Sequence, residues 1–219
     1  MRALVTGGTG RVGSAIVRRL EASGWKVAAA GRADGDLSRA TAARELVERT
    51  AERLGGLELL VHAADEGFAP RAVEDVSEEE WDRAAGATAK GAFFTAQAAA
   101  PHLRASRGLI VMIEDVAAYQ PWPRFAPHCA AKASQAMLTR VLARALAPEV
   151  RVCGVAPGPV AVDPGQEERR ARETLLGRIG SPDDVADAVL YLTDARFVTG
   201  TSLVVDGGRL LQSGTGRAS

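Results

Sequence analysis

Three glycines, Gly7, Gly10 and Gly13, recur at every third position just after the apolar run Ala3-Leu4-Val5. A glycine turn can take positive φ and lets a pyrophosphate approach bare backbone. Where such a turn opens a helix, the first free N–H groups and the positive end of the dipole face that anion. The chemistry on offer is dinucleotide binding, with Gly7, Thr9, Arg11 and Val12 as contacts. A plain strand-to-helix turn is the alternative, and the motif's place on the first strand of an alternating chain argues against it. A second chemical pair is His128 and Lys132, one helical turn apart and therefore on one face of a helix. An imidazole and an ammonium so placed can move a proton and hold a polar ligand.

These groups need elements to carry them. Short apolar runs alternate with longer stretches of helical periodicity. The runs predict strands at 3–5, 26–30, 57–61, 109–113, 150–155 and 202–205. Helices are expected from Val12 to Leu20, closed by Gly24, and then over 38–54, 91–103 and 128–146. Ser77 with Glu80 reads as a capping box, and Ser181-Pro182 starts a helix that runs to about Leu192. Such alternation predicts an α/β fold: a single Rossmann-type domain over 1–219, with a doubly wound parallel sheet and helices on both faces. The charged stretch 163–172 breaks the rhythm and reads as a mobile flap; the tail after Gly208, with Ser213-Gly214-Thr215-Gly216, reads as frayed.

The second predicted strand ends Ala30-Gly31-Arg32. An acidic residue there would bind a ribose 2′-hydroxyl, whereas a guanidinium forks onto a 2′-phosphate. Arg32, with Arg11 nearby, therefore favours NADPH over NADH; a solvated surface arginine is the alternative.

Bulk composition excludes several classes. The chain has 219 residues, enough for one full-sized domain and too few for two. Lys plus Arg and Asp plus Glu are 27 each, which gives no electrostatic case for nucleic acid or an anionic membrane. No apolar run approaches the ~20 residues of a membrane span. Cys129 and Cys153 fit neither a disulfide framework nor a zinc motif. They read as reduced thiols, Cys129 as a buried one, in a cytoplasmic protein without a signal peptide. Trp25 and Trp81 read as packing residues.

Leu60-Val61-His62-Ala63-Ala64, the turn Pro157-Gly158, Gly200, Val205-Asp206-Gly207-Gly208 and Lys132 together resemble the short-chain dehydrogenase/reductase family over nearly the whole chain. The resemblance implies cofactor contacts at Gly31, Arg32, Asp36, Leu37, Ala63, Ala64, Lys132, Pro157, Gly158 and Val160. Arg11 in the glycine loop, Asp115 at the family's serine position and the run from Leu176 to Ala186 are similar to the pteridine reductase branch. That likeness implies a pterin or related planar substrate, with Arg11, Phe68 and Trp122 beside it. The resemblance also matches His128 to the family's catalytic tyrosine and Thr88 to its structural asparagine. Relative to the family, the helix after the second strand and most of the third strand are missing, so six strands are expected.

By the same likeness Lys132 would hold the nicotinamide ribose. Asp115 and His128 would form a carboxylate–imidazole pair that relays a proton to the substrate, and no metal takes part. The alternatives are a homologue that binds cofactor without turnover, as a sensor or oligomer partner, and a reductase of an unrelated carbonyl compound. By the same resemblance, the alanine-rich helices 91–103 and 128–146 would pack against neighbouring subunits, which implies a homotetramer or homodimer.

Overall fold

The computed structural model describes residues 1–212. Six strands form one parallel sheet: β1 (Arg2–Thr6), β2 (Lys26–Ala30), β3 (Leu59–His62), β4 (Leu109–Ile113), β5 (Arg151–Pro157) and β6 (Ser202–Val205), in the order β2-β1-β3-β4-β5-β6. The expected doubly wound α/β fold is the observed one. The tail expected to fray after Gly208 begins instead with a 3₁₀ turn, Arg209–Leu211, and Ser213 onward lies outside the described residues.

The inner strands β1, β3, β4 and β5 alternate their apolar side chains between two buried faces. Val5, Val61 and Val111 point with Ile16, Leu20 and Val189 into a core under α1 (Arg11–Ala22) and, as the last helix, α7 (Pro182–Asp194). Leu4, Leu60, Ile110 and Met112 point the other way. They meet α2 (Ala40–Leu54), α4 (Gly91–Ser106) and α5 (Ala126–Leu146). Ala92, Ala96 and Ala99 let α4 lie close on the sheet.

The shortcut after β2 is real. A single 3₁₀ turn, Arg32–Asp34, and α2 join β2 to β3, and β2 is left as the sheet edge. Chain order reverses at β1, which has β2 on one side and β3 on the other. Thr6 stands level with both Ala30 and His62, so the loops after these three strands converge. That reversal is where an open α/β sheet binds ligands.

The structure adds detail to some expectations and corrects others. The Ser77-capped helix is α3 (Glu78–Ala85), and a π-helical segment, Gly86–Lys90, joins it to α4. The flap is not wholly irregular, because Glu167–Ala171 forms a short helix, α6, within it. Acidic residues at its start and arginines at its end suit the dipole. Trp81 is exposed and Cys129 is half-buried, so neither is a core residue.

Candidate functional site

A cleft of about 1300 Å³ opens at the carboxyl ends of the strands. The loop after β1 supplies Gly7, Thr9, Arg11 and Val12; the loop after β2 supplies Gly31, Arg32, Asp36 and Leu37. Ala63, Ala64, Asp65 and Phe68 follow β3, Asp115 and Trp122 follow β4, and Pro157, Gly158 and Val160 end the β5 side. Lys132 reaches the same space from α5.

The glycine loop is shaped for close approach. Gly7 has φ +66°, and a Cβ there would lie 2.4 Å from the Ala63 carbonyl oxygen. A Cβ on Gly13 would lie 2.1 Å from the Gly7 oxygen. Helix α1 begins after Gly10 with no side-chain cap and no acidic residue in its first turn. Its first N–H groups are therefore open to an external anion.

Two of the arginines that line the cleft, Arg11 and Arg32, tie its loops together. Arg11 donates to the Val162 carbonyl at 3.2 Å and pairs with Asp163 at 3.5 Å, tying the glycine loop to the flap. Arg32 crosses from the β2 loop to Glu66 of the β3 loop at 3.4 Å. Its side chain is 79% exposed, so the pair contributes little to stability and is easily exchanged for another anion.

Deeper in, Lys132 is only 4% exposed, and its ammonium donates to the Ile113 carbonyl (3.1 Å) and to Gln135 Oε1 (3.4 Å). It also pairs with Asp65 at 3.1 Å. Asp65 in turn accepts from the Thr88 hydroxyl at 2.9 Å, which gives the π segment its place in the site. Burial pushes the Asp65 carboxyl up, but the Lys132 charge, aided by His128, overcomes this and holds it down to about 2.

His128 sits beside this pair and is 4% exposed. Its Nε2 lies 3.5 Å from Asp115 Oδ2 and has no hydrogen-bond partner among the described residues. Asp115 is fixed by the Ala117 N–H at 2.8 Å. Asp115 and His128 thus stand near each other without a hydrogen bond, and His128 does not line the cleft as expected. Phe68 covers it, with ring centroids 4.0 Å apart. Trp122 stacks near the same imidazole at 6.2 Å and 15°, and Phe125 completes the aromatic cluster.

A second histidine ties the loops together. The Thr6 hydroxyl donates to His62 Nδ1 (3.1 Å), and His62 Nε2 donates to the Ala87 carbonyl (3.3 Å), linking β1, β3 and the π segment. Complete burial, with the Lys132 charge acting in the same sense, pulls this imidazole down to about 4. The unfolded chain therefore binds the extra proton in the window between ~6.5 and about 4. Stability present above ~6.5 is expected to fall by about 3 kcal/mol as pH drops through that window. Urea midpoints across the window check this: His62→Asn should lose that much of the slope, and an unchanged slope would show that His62 is not its source.

A sequence profile described as Enoyl-(Acyl carrier protein) reductase matches residues 12–209. The chain is 31% identical to human "Dehydrogenase/reductase SDR family member 4", over 94% of this chain and 86% of that protein. The chain belongs to the short-chain dehydrogenase/reductase family. Another of its similar short-chain dehydrogenase/reductase relatives is "Granaticin polyketide synthase putative ketoacyl reductase 2" of Streptomyces violaceoruber, 34% identical over 94% of each chain. The ligand-free aldohexose dehydrogenase of Thermoplasma acidophilum superposes with a TM-score of 0.93 at 24% identity, covering 100% of this chain and 97% of that one, and shows the shared fold. Short-chain dehydrogenase/reductase membership makes the chain an oxidoreductase of a family that binds NAD(P).

Every cofactor contact expected from the sequence lines this cleft. The residues sequence reasoning missed are Asp65, Glu66, Phe125 and Arg209. Asp65 carried a positional signal: it is a carboxylate just beyond a strand's carboxyl end, where such sheets place ligands. Among the described residues no group of His, Cys, Asp or Glu could hold a metal, and no helix is long and apolar enough to cross a membrane.

Proposed function

We propose that this chain is an NADPH-dependent reductase that delivers hydride to a small planar substrate of the pteridine type, with His128 as proton donor. The carrying observation is the buried His128 Nε2, left without a partner beside Asp115 and behind Phe68, which lines the cleft. A buried polar atom without a partner is costly, and a substrate heteroatom is the partner this one lacks.

The cradle fits a dinucleotide. Side chains at Gly7 or Gly13 would collide with the backbone of Ala63 or of Gly7, so the tight loop needs glycine there, and the first turn of α1 offers bare N–H groups. Arg32 would take the 2′-phosphate in exchange for Glu66, and Lys132 with Asp65 would meet the nicotinamide ribose. Lys132 reaches a ribose hydroxyl only by giving up one of its three present acceptors. Bound there, the nicotinamide supplies the hydride. The chain's own part is to orient both partners and hold a proton on His128, with Asp115 facing the imidazolium. The slot formed by Phe68, Trp122 and His128 supports a flat substrate, because the Phe68 ring already lies on the imidazole as such a ring would. Phe68 must swing aside, and Gly67 before it, at φ +76°, supplies a hinge.

The same cover favours a second reading: a homologue that binds cofactor without turnover. One assay separates the two. Purified protein is mixed with NADPH and a panel of dihydropterins and diketones, and the nicotinamide absorbance is followed. The reductase reading expects oxidation with a dihydropterin. Binding without oxidation across the panel would favour the second reading, and oxidation with diketones alone would replace the pterin with a carbonyl substrate.

We further propose a cytoplasmic homodimer or homotetramer built on α4 and α5. Met137 and Val141 stand exposed on α5, as a helix awaiting a second copy would present them. A monomer by light scattering would rule this out.

A further inference from the structure

At the flap side of the cleft, opposite the glycine loop, guanidinium groups crowd around one carboxylate. Glu173 pairs with Arg170 at 2.9 Å, Arg209 at 3.1 Å and Arg169 at 3.3 Å. The three arginines line the cleft, but Glu173 does not; it stands behind them. Arg124 adds a fourth guanidinium from the loop after β4. The other carboxylates near Arg209 are committed elsewhere. Asp206 accepts the N–H groups of Gly208 and Leu210, both at 2.8 Å. Asp115 accepts the Ala117 N–H and faces His128. Glu114, also on the wall, accepts the hydroxyls of Tyr119 (2.8 Å) and Thr139 (2.7 Å). Positive charge is therefore in surplus at this end.

Arg209 is the most enclosed of the four. Its side chain is 13% exposed, and its guanidinium carbon lies 4.9 Å from the centre of the Trp122 ring. Burial, with the Arg170 charge acting in the same sense, pulls its pKa down against the pull of the Glu173 carboxylate. Glu173 is its ion-pair partner among the described residues, which leaves most of its five N–H donors for something in the cleft. A desolvated, preorganised fork next to an aromatic slot is a recognition element for a planar anion.

We propose that the substrate's planar ring carries an anionic group, a carboxylate or its equivalent, that is bound by Arg209 with Arg170 beside it. This rests on the planar-substrate reading above and names the substrate class more closely. A charge-assisted bidentate contact in such a setting favours the anion over a neutral isostere by about tenfold or more.

Calorimetric titration of the full chain with pterin-6-carboxylate and with the neutral pterin-6-carboxamide tests it without relying on turnover. The carboxylate is expected to bind at least about tenfold more tightly. Arg209→Gln should remove most of that preference, read as the ratio of the two affinities in the variant. Because Glu173 keeps Arg169 and Arg170 in this variant, the local fold is retained. In the wild-type chain, high salt should weaken the carboxylate selectively, a check that needs no variant. Equal affinity for the two pterins, or a preference that survives both Arg209→Gln and salt, would overturn the anionic group and leave the planar ring standing. Binding of neither pterin would overturn the planar-ring reading, and the anionic group with it.

Discussion

Replacing His128 with alanine is expected to slow turnover about a hundredfold or more while leaving NADPH binding intact. A positioned acid supplies roughly 10² to 10⁴ of rate, and no other group near the inner end of the cleft is placed to replace it. Asp115 is fixed on the Ala117 N–H, and Lys132 is fully engaged by Asp65, Ile113 and Gln135. Binding is expected to survive because the glycine loop, Arg32 and the Pro157-Gly158 turn lie outside contact with the imidazole. The readout is kcat beside an equilibrium NADPH titration. Unchanged kcat would remove His128 from the chemistry. Loss of NADPH affinity together with kcat would make His128 a structural residue. His128→Tyr sharpens the comparison, since a phenol at this position that retains activity would show the rest of the site to be intact.

Asp65→Ala is expected to destabilise the fold by about 3 kcal/mol, because it leaves an ammonium buried without its counter-charge. The Lys132 side chain is only 4% exposed. Asp65→Ala combined with Lys132→Met should be more stable than Asp65→Ala alone, since the stranded charge is then gone. Denaturant midpoints at constant m-value provide the comparison. A double variant less stable than Asp65→Ala would show that the pair is not the source of the loss. The same pair has a pH signature of definite sign. Its carboxyl is held below the unfolded value, so its contribution is complete above ~4 and is lost as pH falls through about 2. This lies below the His62 window, so the two effects separate.

Much of the fold could be read from local pattern. Period-two burial in β1, β3 and β4 and the helical spacing of Val12, Ile16 and Leu20 report directly on what each face touches. The glycine loop was legible because backbone shape there depends on the absence of a side chain, which sequence records explicitly. Strand ends shifted by a residue or two, as at β3, because register with neighbours decides them. Pairings distant in sequence were not legible. Asp65 matters through Lys132 on α5, Glu66 through Arg32, and Glu173 through Arg209 beyond β6. Each charge looks like ordinary surface until the fold brings its partner across the cleft. His128 shows the opposite limit. Its pairing with Asp115 was anticipated from the resemblance, yet its burial under Phe68 depends on how one loop closes. The π segment follows the same logic, since it is held by His62 and Asp65 rather than by the composition of Gly86–Lys90.

The central claim is that the cleft at the β1 switch point is an NADPH site. Calorimetric titration of NADPH and NADH into the wild-type chain and into Arg32→Ser tests it most directly. The wild-type chain is expected to bind NADPH about tenfold more tightly than NADH, and Arg32→Ser to bring the two together by weakening NADPH alone. Tighter binding of NADH, or no binding of either nucleotide, would contradict the account.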